Sequence, residues 1–427
     1  MKDRLTKTMR ILFVAVGGSV HTARWIDQIA DRNWDLHLFP TELHHLRPEL
    51  KGVTVHDVED PRHFVRETSL RLHDRFYAAF GYDWILPFGR YRATQWVTQW
   101  QAQFANRAWR LARLIERLRP DVIHSLGLHL GGYLTLAARD FCRKPFPTWI
   151  VTNWGSDLFL FGRLTEHKER LAKVLHSADY YWCECRRDVE LAKSWGFPSQ
   201  RILPIIPGAG GFDIERAAEL RMPGPTSSRR TITVKGYQDW AGRALVAFQA
   251  LRGCADLLTG YRIMVYTGGR DPEPVRIAGE LLSQDLDIPV SFVPPRTPHE
   301  AMLRLHGRSR ISIGLSISDS IAISLLEAML MGSFPIQSNT GAAYEWIEDG
   351  KTGLIVPPED PHAVTEAIRR ALWEDHLVDS AAEVNQRVIA ERCDRRKLAD
   401  RVASIYQRVA EGQTFETSSS DDNSIRS

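Results

Sequence analysis

The chain has 427 residues, more than one ordinary core accommodates, so two domains are expected. Hydrophobic residues make up 44% and charged residues 25%, which excludes a disordered or fibrous chain. The formal net charge of +3, from 55 basic and 52 acidic residues, gives no field of the kind that binds nucleic acid. Five Cys without a CxxC pair argue against a disulfide framework or a structural zinc site. The polar start, Met1 to Arg10, lacks an apolar leader, and no uncharged apolar window approaches about 18 residues. The expected compartment is the cytoplasm.

Ile11 to Val16 is a continuous apolar run. It ends in Gly17-Gly18-Ser19, and helical spacing at Trp25, Ile26 and Ile29 follows, as at the opening of a βαβ unit. Short apolar runs recur at Leu36–Phe39, Val122–His124, Thr148–Val151 and Tyr180–Cys185. Separated by helical stretches, they predict a parallel sheet covered on both faces. Residues 206–230 are rich in Pro, Gly and Ser and read as a linker. The pattern then restarts, with strands at Thr231–Val234, Arg262–Tyr266, Val290–Val293, Ile311–Leu315 and Phe334–Gln337 and a helix at Ala244–Leu251. The expected fold is α/β, two doubly wound Rossmann-like domains. They span 1–205 and 231–390, with a last helix in 391–411, expected to pack back on the N-terminal domain, and a disordered tail at 412–427.

The most informative segment starts at Ile313 and reads IGLSISDSIAISLLEAMLMGSFPIQSNTGAAYEWIEDGKTGLIVPPEDP. A strand delivers a loop holding Asp319, Ser320, Ile321 and Ala322, and a helix beginning near Ser324 carries Glu327. The loop amides and the helix N-terminus suit an anion. A carboxylate just inside the helix can accept two hydrogen bonds from a vicinal diol, such as a ribose. Its other reading is a residue favoured by the helix dipole. Lys235 ends one strand and Arg243 opens the next helix; two cations there suit a diphosphate whose charge grows as it leaves.

The segment resembles the donor-binding signature of the retaining GT-B glycosyltransferases, the glycosyltransferase group 1 or GT4-like family. Leu326-Glu327-Ala328-Met329, Gly332, Pro335, Glu345, Gly353-Leu354, Pro357-Pro358 and Asp360 match its pattern. Two positions depart: Asp319 stands for Glu, and Ala342 for the second Gly of a pair. Lys235 and Arg243 exchange the family's usual Arg and Lys.

The resemblance implies a GT-B architecture, with the two domains facing across a cleft. The C-terminal domain is expected to bind a nucleotide-sugar donor and the N-terminal domain a glycan or lipid-linked acceptor. Transfer is expected with retention, without a metal or other cofactor. Glu327 would hold the ribose and Asp319 would sit near the donor sugar. Gly17 and Gly18 would approach the donor phosphate, and a plain structural turn is the other reading. His21, close by, is a candidate acceptor or phosphate contact.

The family's His after the strand Val122–His124 is absent here, where Leu126 stands, so His129 is the nearest candidate for the sugar contact. Trp154-Gly155-Ser156-Asp157 resembles the family's H-G-S-D turn. Asp157 then either orients an acceptor hydroxyl or closes an Asx turn. The basic, aromatic stretch 84–110 has three open readings: a peripheral surface on the inner face of an anionic membrane, an acceptor platform, or a helix packed on its own domain. A nucleotide-sugar epimerase or hydrolase of the same fold and a catalytically degenerate partner subunit are the alternatives.

Overall fold

A computed structural model describes residues 8–42, 46–56, 71–72, 95–208, 210–266 and 272–415. The chain divides into two compact units. Unit 1 comprises Met1–Cys183, Asp188–Gly210 and Leu398–Ser427; unit 2 comprises Glu184–Arg187 and Gly211–Lys397.

Unit 1 holds a seven-stranded sheet, wholly parallel. Its strands are β1 (Arg10–Ala15), β2 (Asp35–Pro40), β3 (Thr54–Val55), β4 (Arg71–Leu72), β5 (Val122–Leu126), β6 (Thr148–Asn153) and β7 (Tyr180–Cys183). Their spatial order is 4-3-2-1-5-6-7. The winding reverses between β1 and β5, and that is where ligands of open α/β sheets bind. Helices α1 (Val20–Asp27), α2 (Gln95–Leu118), α3 (Tyr133–Phe141), α4 (Ser156–Phe159), α5 (Thr165–Ser177) and α6 (Arg186–Ser194) alternate with the strands. In β1, Ile11 to Ala15 are fully buried, as a strand covered on both faces requires.

Unit 2 begins with α7 (Ile214–Leu220) and holds a six-stranded parallel sheet. The strands are β8 (Thr231–Lys235), β9 (Arg262–Tyr266), β10 (Val290–Phe292), β11 (Ile311–Gly314), β12 (Phe334–Ser338) and β13 (Leu354–Val356), in the order 10-9-8-11-12-13. Its winding reverses between β8 and β11. The helices are α8 (Ala244–Arg252), α9 (Glu273–Leu286), α10 (His299–Arg308), α11 (Ile323–Met331), α12 (Pro361–Trp373) and α13 (Asp375–Arg392). Helix α11 is apolar almost throughout, and every residue from Leu325 to Met331 is buried. It is therefore a core helix rather than a surface one.

The chain crosses from unit 1 to unit 2 between Gly210 and Gly211, inside the expected linker 206–230, and the rest of that segment is folded into unit 2. Asp213 caps α7 by accepting from the Arg216 N–H at 3.0 Å, and Thr226 and Arg229 are buried in unit 2. Arg229 donates to the carbonyls of Ser309, Met331 and Gly332, satisfying the C-terminal ends of α10 and α11. The Pro and Gly residues there mark turns between folded pieces. The last helix, α14 (Arg395–Ala410), belongs from Leu398 onward to unit 1. Its Tyr406 is fully buried and accepts from the Trp25 indole at 2.9 Å. Residues 413–415 are also ordered on unit 1: Phe415 is buried against Tyr180. The remainder of the expected tail, 416–427, lies outside the described residues.

Candidate active site

In unit 2 a recess opens at the carboxyl ends of β8, β11 and β12. It is lined by Lys235, Ser316, Asp319, Ser320, Gln337 and Ser338, among others. Lys235 Nζ lies 3.4 Å from Asp319 Oδ2 and 4.9 Å above the Tyr237 ring. Burial by itself favours the neutral amine, but Asp319, Tyr237 and Tyr266 outweigh it and hold the Lys235 pKa above its ordinary value. The recess thus carries a permanent cation with a carboxylate beside it. Asp319 also accepts from the Ser320 N–H at 2.9 Å, which fixes its loop. Gly341 and Ala343 close the far side, and Ala342 donates to the Ser320 carbonyl at 2.9 Å.

Glu327 lies further along α11 and is 6% exposed. A carboxylate in an apolar helix needs partners. His299 Nε2 lies 2.8 Å from its Oε1, and His306 Nε2 lies 3.8 Å from its Oε2. Both histidines sit on α10. Tyr266, at the end of β9, is within the fields of both Lys235 and Glu327, and burial first of all pushes its hydroxyl up to about 12.

Arg243 turns elsewhere. Its Nε donates to Glu359 at 2.9 Å and its Nη1 to the Gly242 carbonyl at 2.9 Å. It is not among the residues that line the recess, whereas Lys235 is. The turn before Arg243 is too tight for a side chain at Gly242, where a Cβ would lie 2.3 Å from the Tyr237 carbonyl oxygen. That turn, bridged to Ser316, dictates where the guanidinium points. Of the expected loop residues, Ser320 and Ala322 line the recess, whereas Ile321 is buried in the apolar cluster around α11.

In unit 1 the residues following β1, β5 and β6 meet. His129 Nδ1 lies 2.5 Å from Asp157 Oδ1, and the His129 backbone N–H donates to the same oxygen at 3.1 Å. The other carboxylate oxygen accepts from the Trp154 N–H at 3.2 Å. Asp157 therefore closes its own turn and binds the histidine at once. Burial opposes both charges, but each outweighs it for the other: His129 is raised above its ordinary range and Asp157 is held below its own. Nδ1 is engaged by Asp157, and Nε2 is the ring nitrogen that this carboxylate does not hold.

A π-helical turn, Leu128–Gly132, carries His129. It rests directly on β1, where a Cβ at Gly131 would lie 2.3 Å from the Val14 carbonyl oxygen. His21 packs on Trp154 with ring centroids 5.4 Å apart. The N–H of His21 donates to Ser19, the cap of α1. Gly17 lies against Pro40 and Leu46. His124, by contrast, is fully buried between Tyr406 and Thr152, and burial lowers its pKa to about 3.

Two family models match, and together they take in more than half of the chain. "Glycosyl transferase 4-like" matches residues 10–86 and 91–181, and "Glycosyl transferases group 1" matches residues 267–390. The chain belongs to this glycosyltransferase family. A curated relative, D-inositol 3-phosphate glycosyltransferase of Corynebacterium urealyticum, is 25% identical over 198 residues. That match takes in 43% of this chain and 46% of the relative, so less than half of the relative's length is spanned.

Among solved structures, sucrose-phosphate synthase (tll1590) from Thermosynechococcus elongatus superposes with TM-score 0.66 at 16% identity, covering 95% of this chain and 100% of that one. Anabaena Alr3699/HepE in complex with UDP-glucose gives TM-score 0.65 at 12% identity, covering 93% and 99%. These likenesses establish the fold, which is GT-B.

In this chain, His299 and His306 escape a reading of the sequence. They stand 28 and 21 residues before Glu327 with no periodicity linking them. Only the β-strand crossover lays α10 alongside α11. Gln337 and Ser338 follow from the strand end alone. In the Trp- and Arg-rich stretch 84–110, the side chains of 84–105 lie outside the described residues. Arg107 is buried over the Phe39 ring at 4.9 Å and donates to the Pro40 carbonyl, so it serves the fold. Among the described residues, no helix is long and apolar enough to cross a membrane.

Proposed function

We propose that this glycosyltransferase moves a hexosyl group from a nucleotide-activated donor to a hydroxyl of a glycan or lipid-linked acceptor, with retention, in the cytoplasm. The observation that carries this reading is the recess of unit 2, where Lys235 and its partner Asp319 meet at a sheet switch point, with Glu327 on the helix that follows. Anabaena Alr3699/HepE, of the same fold, is solved with UDP-glucose, which makes a uridine donor the first to test.

In this reading Glu327 accepts from the ribose hydroxyls and Lys235 neutralises the diphosphate. The sugar C1–O bond to the diphosphate breaks while the bond to the acceptor oxygen forms on the same face. The acceptor proton passes to the departing diphosphate oxygen. Lys235 lowers the barrier by meeting charge that develops on that oxygen. Asp319 serves the donor sugar. His129, oriented by Asp157, offers Nε2 to the sugar, and His21 flanks the acceptor side.

The test is a thermal-shift panel of UDP, GDP, ADP and UDP-glucose on the wild type and Glu327→Ala. A ligand at 100 times its dissociation constant adds roughly 2.7 kcal/mol, or about 2–4 °C for domains of this size. The expected result is a shift with one nucleotide series that Glu327→Ala loses. A wild type that none of these compounds shifts overturns the proposal.

A further inference from the structure

We infer that His299 is a positioning residue that sets the preference of the donor site for ribose over deoxyribose, by holding Glu327 in the orientation that receives a diol. The inference rests on the donor-site reading above.

Among the described residues, two histidines of unequal freedom face Glu327. His306 is wholly buried, and burial keeps its pKa below the ordinary value, so its ring is neutral. Its Nδ1 lies 3.0 Å from Ser312 Oγ, which in turn meets Thr233 Oγ1 at 2.7 Å and Ser333 Oγ at 2.8 Å. The Tyr266 ring stands edge-on to it, 5.4 Å between centroids. That network makes His306 a fixed wall, and at 3.8 Å it lies beyond hydrogen-bond reach of the carboxylate.

His299 is different. Its side chain is 40% exposed, it stands at the start of α10, and its Nε2 makes the 2.8 Å contact to Glu327. The Phe212 ring lies beside its own, 6.3 Å between centroids and tilted by 26°. The adjacent acid, Glu300, is taken up by Arg216 at 2.8 Å. His299 thus directs its hydrogen bond at a single oxygen of Glu327. An ionised carboxylate offers about four acceptor sites, so one bond from His299 takes up one of them and restrains the rotation of the group.

The contribution is to binding of the ribose rather than to events at the sugar carbon. Loss of His299 is therefore expected to weaken a ribonucleotide and to leave a nucleotide without the diol unaffected. A merely structural role would weaken both alike.

The experiment measures equilibrium binding of UDP and 2′,3′-dideoxy-UDP, with the GDP and ADP pairs alongside, to the full chain. The proteins are wild type, His299→Ala and His299→Gln, each checked for an unchanged melting temperature. The wild type is expected to favour the ribonucleotide by about tenfold or more, His299→Ala to reduce that preference to within about twofold, and His299→Gln, which keeps an N–H donor, to restore most of it. If His299→Ala keeps the wild-type preference, or weakens both nucleotides equally, the inference is wrong and the donor site stands. If His299→Ala falls as expected and Gln does not rescue it, the directed hydrogen bond is not the cause and the inference is likewise overturned. A wild type that binds none of the nucleotides removes the donor-site reading, and this inference with it.

Discussion

Unit 1 and unit 2 each gather polar residues where the winding of a parallel sheet reverses, yet they assemble them in different ways. In unit 2 much of the recess comes from the stretch between Gly314 and Ala343, with Lys235 added from β8. In unit 1 the cluster draws His21, His129, Trp154 and Asp157 from three separate strand exits. A contiguous strand–loop–helix carries most of its geometry locally, since its amides and helix start are fixed by its own hydrogen bonds. A cluster spread over three loops has no such local rule. The pairing chemistry differs too. Lys235 and Asp319 stand 3.4 Å apart in a recess, whereas the His129–Asp157 pair is tight and its carboxylate buried.

The comparison can be broken first at the cations. Lys235→Ala is expected to lose about 10³-fold in kcat/KM, the scale of one fixed charge at a developing anion. Arg243→Ala is expected to lose less than about tenfold, because its guanidinium is committed to Glu359. Steady-state kinetics on folded proteins, checked by circular dichroism, decide this, and equal losses would mean that both cations serve the diphosphate.

Next comes the dyad. His129→Ala is expected to lower kcat by about 10²-fold or more. Adding Asp157→Asn to it is expected to cost little further, since the carboxylate acts through the ring. Full additivity in this double-mutant cycle would assign Asp157 a separate role.

Glu327→Ala should act on binding. Its expected signature is a nucleotide affinity lower by about 10- to 100-fold, read by titration calorimetry. A loss confined to kcat would move Glu327 from the ribose to the chemical step.

The smallest effects are on stability. Tyr406→Phe removes the hydroxyl shared by Trp25 and His124 and is expected to cost about 1–3 kcal/mol in urea unfolding.

For the dyad the signs are opposite. His129 has a folded pKa above its ordinary 6.5, so its contribution is present below that value and fades as pH rises through the raised one. Asp157 has a folded pKa below its ordinary 3.8, so its contribution is present above that value and fades as pH falls through the lowered one. Between these limits the pair stabilises unit 1. The stability gap between wild type and Asp157→Asn should therefore be larger at about pH 6 than at about pH 9, and a gap that does not change with pH would deny the ion pair.

Much of the fold was legible in advance because buried parallel strands read as apolar runs. Arg262–Tyr266 was expected and found with the same ends, and Ile11–Val16 appears as Arg10–Ala15. Thr54–Val55 and Leu354–Val356 were not anticipated, since so few residues carry little pattern, although three-residue β10 was expected at Val290–Val293. At 206–230 composition marked the stretch in which the chain changes units, but Pro and Gly announce turns without saying whether the pieces between them fold.

Sequence by itself determined the α/β alternation, the family resemblance, the placing of Lys235 at a strand end, of Asp319 in a loop and of Glu327 inside the following helix, and the candidacy of His129 and Asp157. These follow from local periodicity and from motifs whose residues are close along the chain. Tertiary structure alone decided that His129 pairs with Asp157, that Arg243 faces Glu359, and that His299 and His306 enclose Glu327. The reason is physical: parallel crossovers bring together residues tens of positions apart, and a side chain's partner depends on which helix the sheet lays beside it.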